Sequence, residues 1–587
     1  MNKIAKADIT NLSILTVLFF CLIRIFYAKQ GSIFYDTGKE FLFPQLILEG
    51  KVLYRDIFNL YGPFTFQFNA LLYKMFGVSS NVILNAGVAI ALGIMYMCYF
   101  ITRKFSSSLT SFVTTIVIFI LMFKLNSNTA TLGSYLLPYS LSISYAFLFT
   151  LISIGAFFKY ITSKNVNWMY LCAVFIGLNF MTKLDFLGVC LFILGYVLLD
   201  KNIKIKEKCI TFIICTIPAI ICCGMLIVQG LTYADFIEYF NFIKVFQSTK
   251  SITAFNQAFF GLSFSWPHFI YNLSVMKKFI ISALPIFAIS YLLYLSVQKL
   301  NNKLLAILLV VLCCEIFPLL FSLPYGKIEN LDIIFCWFSF PIIGIIIYLI
   351  ATKYFNDLKG DETKQLYLLT IIFSLLVNIR YFWNIQTSMG GNFSLSLYFI
   401  VFVVFCFEIL AKNDEFMKKT LAIFFIALSV KYVALYADIA KEYGHVFNSP
   451  KGSIVLSQPY DSALEEIRHF LNVNATKDSK VLMVPESPMV GFFMEVKTNE
   501  KIFSTIPHWI EALGEDKMLK SISDFEPDYI ILTVSEFDPH FTKGWFGRDI
   551  GENIYMYIRN HYEVMEVQTY RASDSRRSFE LVFYKKR

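Results

Sequence analysis

The stretch richest in reactive side chains runs Phe34-Tyr35-Asp36-Thr37-Gly38-Lys39-Glu40, resumes as Gly50-Lys51-Val52-Leu53-Tyr54-Arg55-Asp56 and closes with Tyr61-Gly62-Pro63. Carboxylates, turn-forming glycines and interleaved aromatics alternate there. A carboxylate within hydrogen-bond reach of a hydroxyl can take its proton as the oxygen attacks a carbon centre, a contribution of roughly 10²–10⁴-fold in rate. Asp36, Asp56 and Glu40 are the carboxylates of this stretch, and Asp36, about eight residues beyond the first apolar run, is well placed to act on a lipid-borne substrate. Arg55, Lys183, Lys327 and Arg380 are cations near helix ends. Plainer roles are open for the same residues: Asp36 as the N-cap of a helix beginning near Gly38, and Arg55-Asp56 as a surface ion pair. Asp36, Glu40 and Asp56 also offer the oxygen ligands a hard divalent cation takes, although the expectation is no metal and no cofactor.

The elements that must position these residues are apolar helices. Of 587 residues, 57% are hydrophobic and 16% charged, against about 25% charged in an ordinary soluble domain. Basic residues give a net charge of +9, but they are scattered in small groups between apolar runs, which argues against a nucleic-acid partner. A spanning helix needs about 20 apolar residues, and such runs fall at 10-28, 82-102, 109-125, 139-158, 168-182, 184-199, 209-229, 279-297, 304-321, 332-351, 366-380, 394-411 and 419-437. The expectation is a polytopic α-helical membrane protein with about 13 transmembrane helices. Only Thr182-Lys183-Leu184-Asp185 separates the fifth run from the sixth, so one re-entrant hairpin is an alternative there. The first run lacks a small-residue cleavage site and is taken as a retained anchor. All twelve Cys lie between Cys21 and Cys406, which excludes a disulfide framework in the tail; their expected role is helix packing.

Connections bearing Lys3, Lys6, Arg103, Lys104, Lys159, Lys164, Lys201, Lys204, Lys206 and Lys208, and later Lys299, Lys303, Lys353, Lys359, Lys364, Lys412, Lys418 and Lys419, read as cytoplasmic by the positive-inside rule. The N-terminus is then inside and the tail outside. The long outer connections are 29-81 and 230-278, and function collects in long loops. Phe64 to Phe76 is apolar but too short to span and reads as an amphipathic helix on the interface, as does Phe41 to Leu48. Residues 1-440 make the transmembrane domain, and 450-587 a soluble extracytoplasmic α/β domain. In the latter, Asp461 to Leu471 reads as a helix, Lys480 to Val484 and Tyr529 to Val534 as strands, and Tyr562 to Tyr570 with Ser578 to Tyr584 as a hairpin.

The ordered set Tyr35-Asp36-x-Gly38, Gly50-x-x-x-Tyr54-Arg55-Asp56 and Gly62-Pro63 resembles the first-loop signature of the GT-C superfamily of membrane glycosyltransferases. It is similar in particular to bacterial relatives of protein O-mannosyltransferases and lipid A aminoarabinose transferases (glycosyltransferase family 39-like). Gly177-Leu178 with Thr182-Lys183, and Val484-Pro485-Glu486-Ser487-Pro488 with Glu526-Pro527-Asp528-Tyr529, extend the resemblance over nearly the whole chain. It implies an inverting enzyme that moves a sugar from a polyprenyl-phosphate donor to an envelope glycan, lipid or protein on the outer face of the cytoplasmic membrane. Asp36, at the position of the family's first-loop acid, would be the general base, with Asp56 ranked second and Glu40 third, and Arg55, Lys183, Lys327 and Arg380 would be the cations that meet the charge growing on the leaving phosphate. Two features depart from the pattern: Asn126 to Pro138 carries no second acid, and Asn59-Leu60-Tyr61-Gly62-Pro63 stands where a His-Pro-Pro type segment is usual.

Glu315, inside an apolar run, reads as a protonated or paired acid, and His268 as a loop anchor; Tyr381 and Trp383 suit either sugar stacking or an aromatic belt. Two further classes stay open. A transporter or flippase of lipid-linked glycans would carry acids and broken helices at the bilayer midplane. A noncatalytic envelope assembly protein would depend on the tail and be indifferent to Asp36.

Overall fold

The computed structural model describes residues 6–30, 37–125, 134–137, 140–259, 266–267, 270, 339–356, 358, 360–379, 391–486, 488–499, 501–535, 544–571 and 578–587. Among the described residues fifteen α-helices precede the tail: α1 (Lys6–Phe26), α2 (Thr37–Leu48), α3 (Phe64–Phe76), α4 (Ser80–Arg103), α5 (Ser108–Met122), α6 (Leu141–Ser163), α7 (Asn167–Phe180), α8 (Leu187–Leu199), α9 (Ile205–Val228), α10 (Tyr233–Ser248), α11 (Lys250–Phe259), α12 (Ser339–Ala351), α13 (Glu362–Asn378), α14 (Gly391–Val404) and α15 (Glu415–Ala440). A π-helical turn, Phe405–Leu410, extends α14. Among the described residues, six of these elements are long and apolar enough to cross a bilayer, and the chain is a multi-pass helical membrane protein. The first seven expected spans and, over their described residues, the last four coincide with helices; 279-297, 304-321, 332-338 and residue 380 lie outside the described residues.

Polar side chains fix the bundle where water is scarce. Asn179 on α7 donates to the Ala146 carbonyl and the Thr150 hydroxyl of α6 at 2.8 and 2.7 Å. At one end of the bundle Asp8 accepts from Tyr99, Arg103 and Ser108, tying α1, α4 and α5 together. α7 packs on α6 and α9, while α8 packs chiefly on α13 and also touches α6.

The tail is an α/β unit. Ala463, Leu464, Ile467, Phe470 and Leu471 line one face of α16 (Tyr460–Asn474), the i, i+3, i+4, i+7 spacing of a helix laid on a core. A four-stranded sheet holds β4 (Val481–Val484) parallel to β5 (Tyr529–Val534), then β7 (Phe579–Lys586) and β6 (Tyr562–Tyr570) antiparallel, in the order β4-β5-β7-β6. β4 is buried throughout, hence its unbroken apolar run. A smaller sheet joins this tail to the first loop: β1 (Lys29–Gln30) runs parallel to β3 (Gly452–Leu456), which pairs with β2 (His445–Ser449).

The expectation for Phe41 to Leu48 is corrected. α2 does not lie on a membrane surface: Thr37 to Pro44, Leu46 and Ile47 are all buried. It is covered by α3, where Phe66 lies 5.5 Å from Phe43, and by α17 (Pro488–Phe493), itself fully buried, with Phe492 5.5 Å from Phe41. A Cβ on Gly38 would fall 2.4 Å from the Met489 backbone nitrogen, so only glycine permits this approach. α3 is amphipathic in an inverted sense, burying Gln67 and Asn69 and exposing Leu71, Met75 and Phe76.

Candidate active site

The first loop folds around the carbonyl of Tyr61. The Tyr54 hydroxyl and the Asn59 amide both donate to it at 2.8 Å. Tyr54 takes φ +73°, a left-handed conformation that costs a non-glycine residue of order 1–3 kcal/mol and persists only where surroundings impose it. They do so here through that hydroxyl bond and the Tyr239 ring, 4.3 Å away between centroids; Tyr239 in turn donates to the Asn59 carbonyl at 2.7 Å. Burial, and secondarily Tyr239, holds the Tyr54 phenol protonated well above its ordinary range.

The next residues dock on the α7–α8 junction. Gly62 N–H donates to the Thr182 carbonyl and Phe64 N–H to the Met181 carbonyl, each at 2.9 Å. A Cβ on Gly62 would stand 2.2 Å from the Met181 oxygen. This seam brings residues from distant parts of the chain to one aromatic ring: Lys183 Nζ is 4.6 Å and Lys39 Nζ 5.3 Å from the Tyr61 centroid. Lys183 also faces Asp185 at 3.5 Å, both side chains being about a tenth exposed. Lys39 is buried on α2. Two ammonium groups and a carboxylate thus share the surroundings of one tyrosine, with little exposure to water, where charge interactions are stronger than in solvent.

Arg55 and Asp56 form a separate, self-contained unit. Arg55 donates from Nε and Nη2 to the two Asp56 oxygens at 3.0 and 2.8 Å, and from Nη1 to the Gly230 carbonyl at 3.0 Å. Asp56 Oδ2 also accepts from Val52 N–H at 2.9 Å. Burial raises the Asp56 pKa, but the Arg55 bonds, the Val52 N–H and the neighbouring charges outweigh it, and the carboxyl ends below its usual range. Glu40 is fully buried on α2. After burial, its charge is the next cause that holds Tyr73 protonated. Asp36, Lys327 and Arg380, and with them Glu315, His268, Tyr381 and Trp383, lie outside the described residues.

Sequence reasoning singled out Lys183 but missed Lys39 and Tyr61 as site residues. Tyr61 entered only as part of a turn signal, and nothing in linear spacing brings Lys183 to it. A signal existed in Lys39: a lysine in a helix of otherwise buried residues is costly unless its charge is used. Among the described residues no group of three or more His, Cys, Asp or Glu side chains is gathered as a metal site would require. All nine described cysteines are unbridged.

Beside the loop, α10 and the tail enclose a cleft of about 550 Å³. Phe58, Phe242 and Val245 form its apolar side; Lys501, Lys517 and Lys520 form its basic side. Lys501 reaches Glu238 at 3.8 Å and lies over the Phe58 ring.

Fold and site together define a multi-pass helical membrane protein whose first inter-helix loop is clasped by a C-terminal α/β unit. No protein-family model matches the chain, and no curated protein does. Among solved structures it is similar to the oligosaccharyltransferase of Archaeoglobus fulgidus in complex with Zn and sulfate, over 94% of this chain and 78% of that one, at 9% identity and TM-score 0.45. It is also similar to ArnT from Cupriavidus metallidurans bound to undecaprenyl phosphate, over 98% of this chain and 97% of that one, at 10% identity and TM-score 0.44.

Proposed function

We propose that this chain is an inverting glycosyltransferase that moves a sugar from a polyprenyl-phosphate donor to an envelope glycan, lipid or protein on the outer face of the cytoplasmic membrane. The observation that carries the reading is the convergence of Lys39 and Lys183 on Tyr61. Lys39 stands three residues after Asp36 in the sequence, so one of the two proposed phosphate-binding cations shares a segment with the base.

In this mechanism the Asp36 carboxylate accepts the acceptor hydroxyl's proton as that oxygen bonds to the anomeric carbon. The bond from that carbon to the phosphate oxygen breaks, and polyprenyl phosphate leaves with the electron pair. Lys183 and Lys39 meet the charge that grows on it, and Tyr61 holds both ammonium groups through its ring face. Arg55 and Asp56 serve as framework, since the guanidinium and carboxylate are spent on each other and on the backbone. Lys327 and Arg380 remain candidates for further phosphate contacts. The cleft, walled by Phe58 and Phe242 and carrying both lysines and the carboxylates of Glu238 and Asp524, suits an acceptor with an apolar or pyranose face and hydrogen-bonding substituents.

The test is binding of polyprenyl phosphate, compared with polyprenol, to the reconstituted protein. Lys183→Met and Lys39→Met should each weaken the phosphate and leave the alcohol unaffected. Equal phosphate affinity in wild type and both variants would remove the assignment.

A further inference from the structure

We infer that α10 is seated in the bilayer interface, against lipid headgroups and upper acyl chains, and sets the height of the Tyr61 loop above the membrane. An ordinary surface helix carries one apolar stripe; α10 carries two. The first is Tyr239, Phe242 and Phe246, which pack inward: Phe242 lies 4.9 Å from Phe58 and 5.3 Å from Trp509, and Phe246 5.3 Å from His508. The second is Tyr233, Phe236, Ile237 and Phe240, at the i, i+3, i+4, i+7 positions of one face, and all four are exposed, Tyr233 by 81% and Phe240 by 60%. Lys244 is exposed one further turn along, on the same side, where its stem can lie on apolar surface while the ammonium stays wet.

Continuity identifies the occupant as lipid. α9 is a membrane span with an exposed apolar face of Ile213, Ile217, Ile220 and Ile221, ending in Ile227 and Val228, the last 88% exposed. Only Gln229 to Thr232 separate that end from Tyr233, in a turn where Gly230 has φ +99° and its carbonyl accepts from Arg55. The lipid-facing surface of α9 therefore runs on into the outward stripe of α10. Tyrosine and phenylalanine are the side chains that settle where hydrocarbon meets headgroups. The consequence for the site passes through Tyr239, which donates to Asn59, and Asn59, which holds the Tyr61 carbonyl. A helix anchored by its outer face thus fixes the loop by its inner face. This inference stands apart from the proposed reaction and would hold for any activity at that loop.

The test uses the full chain in phosphatidylcholine vesicles containing a phosphatidylcholine with a diazirine on a headgroup-proximal acyl carbon, irradiated and mapped by mass spectrometry. Adducts are expected on Tyr233 to Phe240 at a yield comparable to Ile220 to Val228. The Phe236→Ser/Phe240→Ser double variant should lower the α10 yield about tenfold and leave the α9 yield unchanged, which also reports that the variant is folded. Labelling of α9 without α10 in the wild-type protein would overturn the inference. So would crosslinks that place a second copy, or another segment of this chain, on Tyr233 and Phe240.

Discussion

Lys183 Nζ stands 4.6 Å above the ring of Tyr61, a residue 122 positions earlier in the chain, because Gly62 lies flat against the Met181–Thr182 backbone. The ammonium lies over the ring. Tyr61→Phe should therefore keep most of the activity and Tyr61→Leu lose it. Cation–π contacts are worth about 0.5–2 kcal/mol, so Tyr61→Leu should weaken polyprenyl-phosphate binding by up to about 30-fold for each ammonium released. Titration of the phospholipid analogue against the three proteins checks this.

Gly62→Ala should act on the same seam without touching a charge. The new methyl would overlap the Met181 carbonyl, 2.2 Å away, and forced overpacking costs about 1–3 kcal/mol. The expected result is a lower midpoint of unfolding and faster proteolysis between residues 50 and 63. Unchanged protease sensitivity would mean the loop tolerates a different seating.

The Arg55–Asp56 pair predicts a pH response of definite sign. The folded-state pKa of Asp56 lies below its ordinary value of 3.8, so its contribution is complete above that value and disappears as pH falls through the lower, folded-state pKa. Hydrogen exchange of Val52 and its neighbours should stay slow at neutral pH and rise only in strong acid. Asp56→Asn should show the fast exchange already at neutral pH.

The clasp between α2 and the tail predicts a long-range effect. Phe492 is fully buried between Phe41 at 5.5 Å and Tyr73 at 6.5 Å. Phe492→Ala should cost about 3–5 kcal/mol and expose the amides of Thr37 to Leu48. Chemical denaturation with exchange mass spectrometry would measure both; protection of α2 unchanged by the substitution would show the clasp to be dispensable.

The membrane helices were legible from sequence because a bilayer imposes length and hydropathy on a segment whatever its neighbours; α1, α4 and α9 fall within a few residues of their expected spans. The strands Val481–Val484 and Tyr529–Val534 and the hairpin Tyr562–Tyr570/Phe579–Lys586 were legible for a similar reason, as short apolar runs between turn signals. α2 was misread because its hydropathy fits a lipid surface as well as a protein one, and the packing of α3 and of the distant Pro488–Phe493 segment decides between them. Arg55 and Asp56 were weighed both as chemistry and as an ion pair, and the structure has the pair. The two-lysine arrangement at Tyr61 was invisible because it joins three segments whose contact depends on the tertiary fold.

The most direct measurement is sugar transfer from a radiolabelled polyprenyl-phosphate donor to envelope acceptors by the reconstituted Asp36→Asn variant, with donor binding followed in the same vesicles. The account predicts donor binding equal to wild type and transfer lowered by at least about 10²-fold. Wild-type transfer by that variant would contradict it.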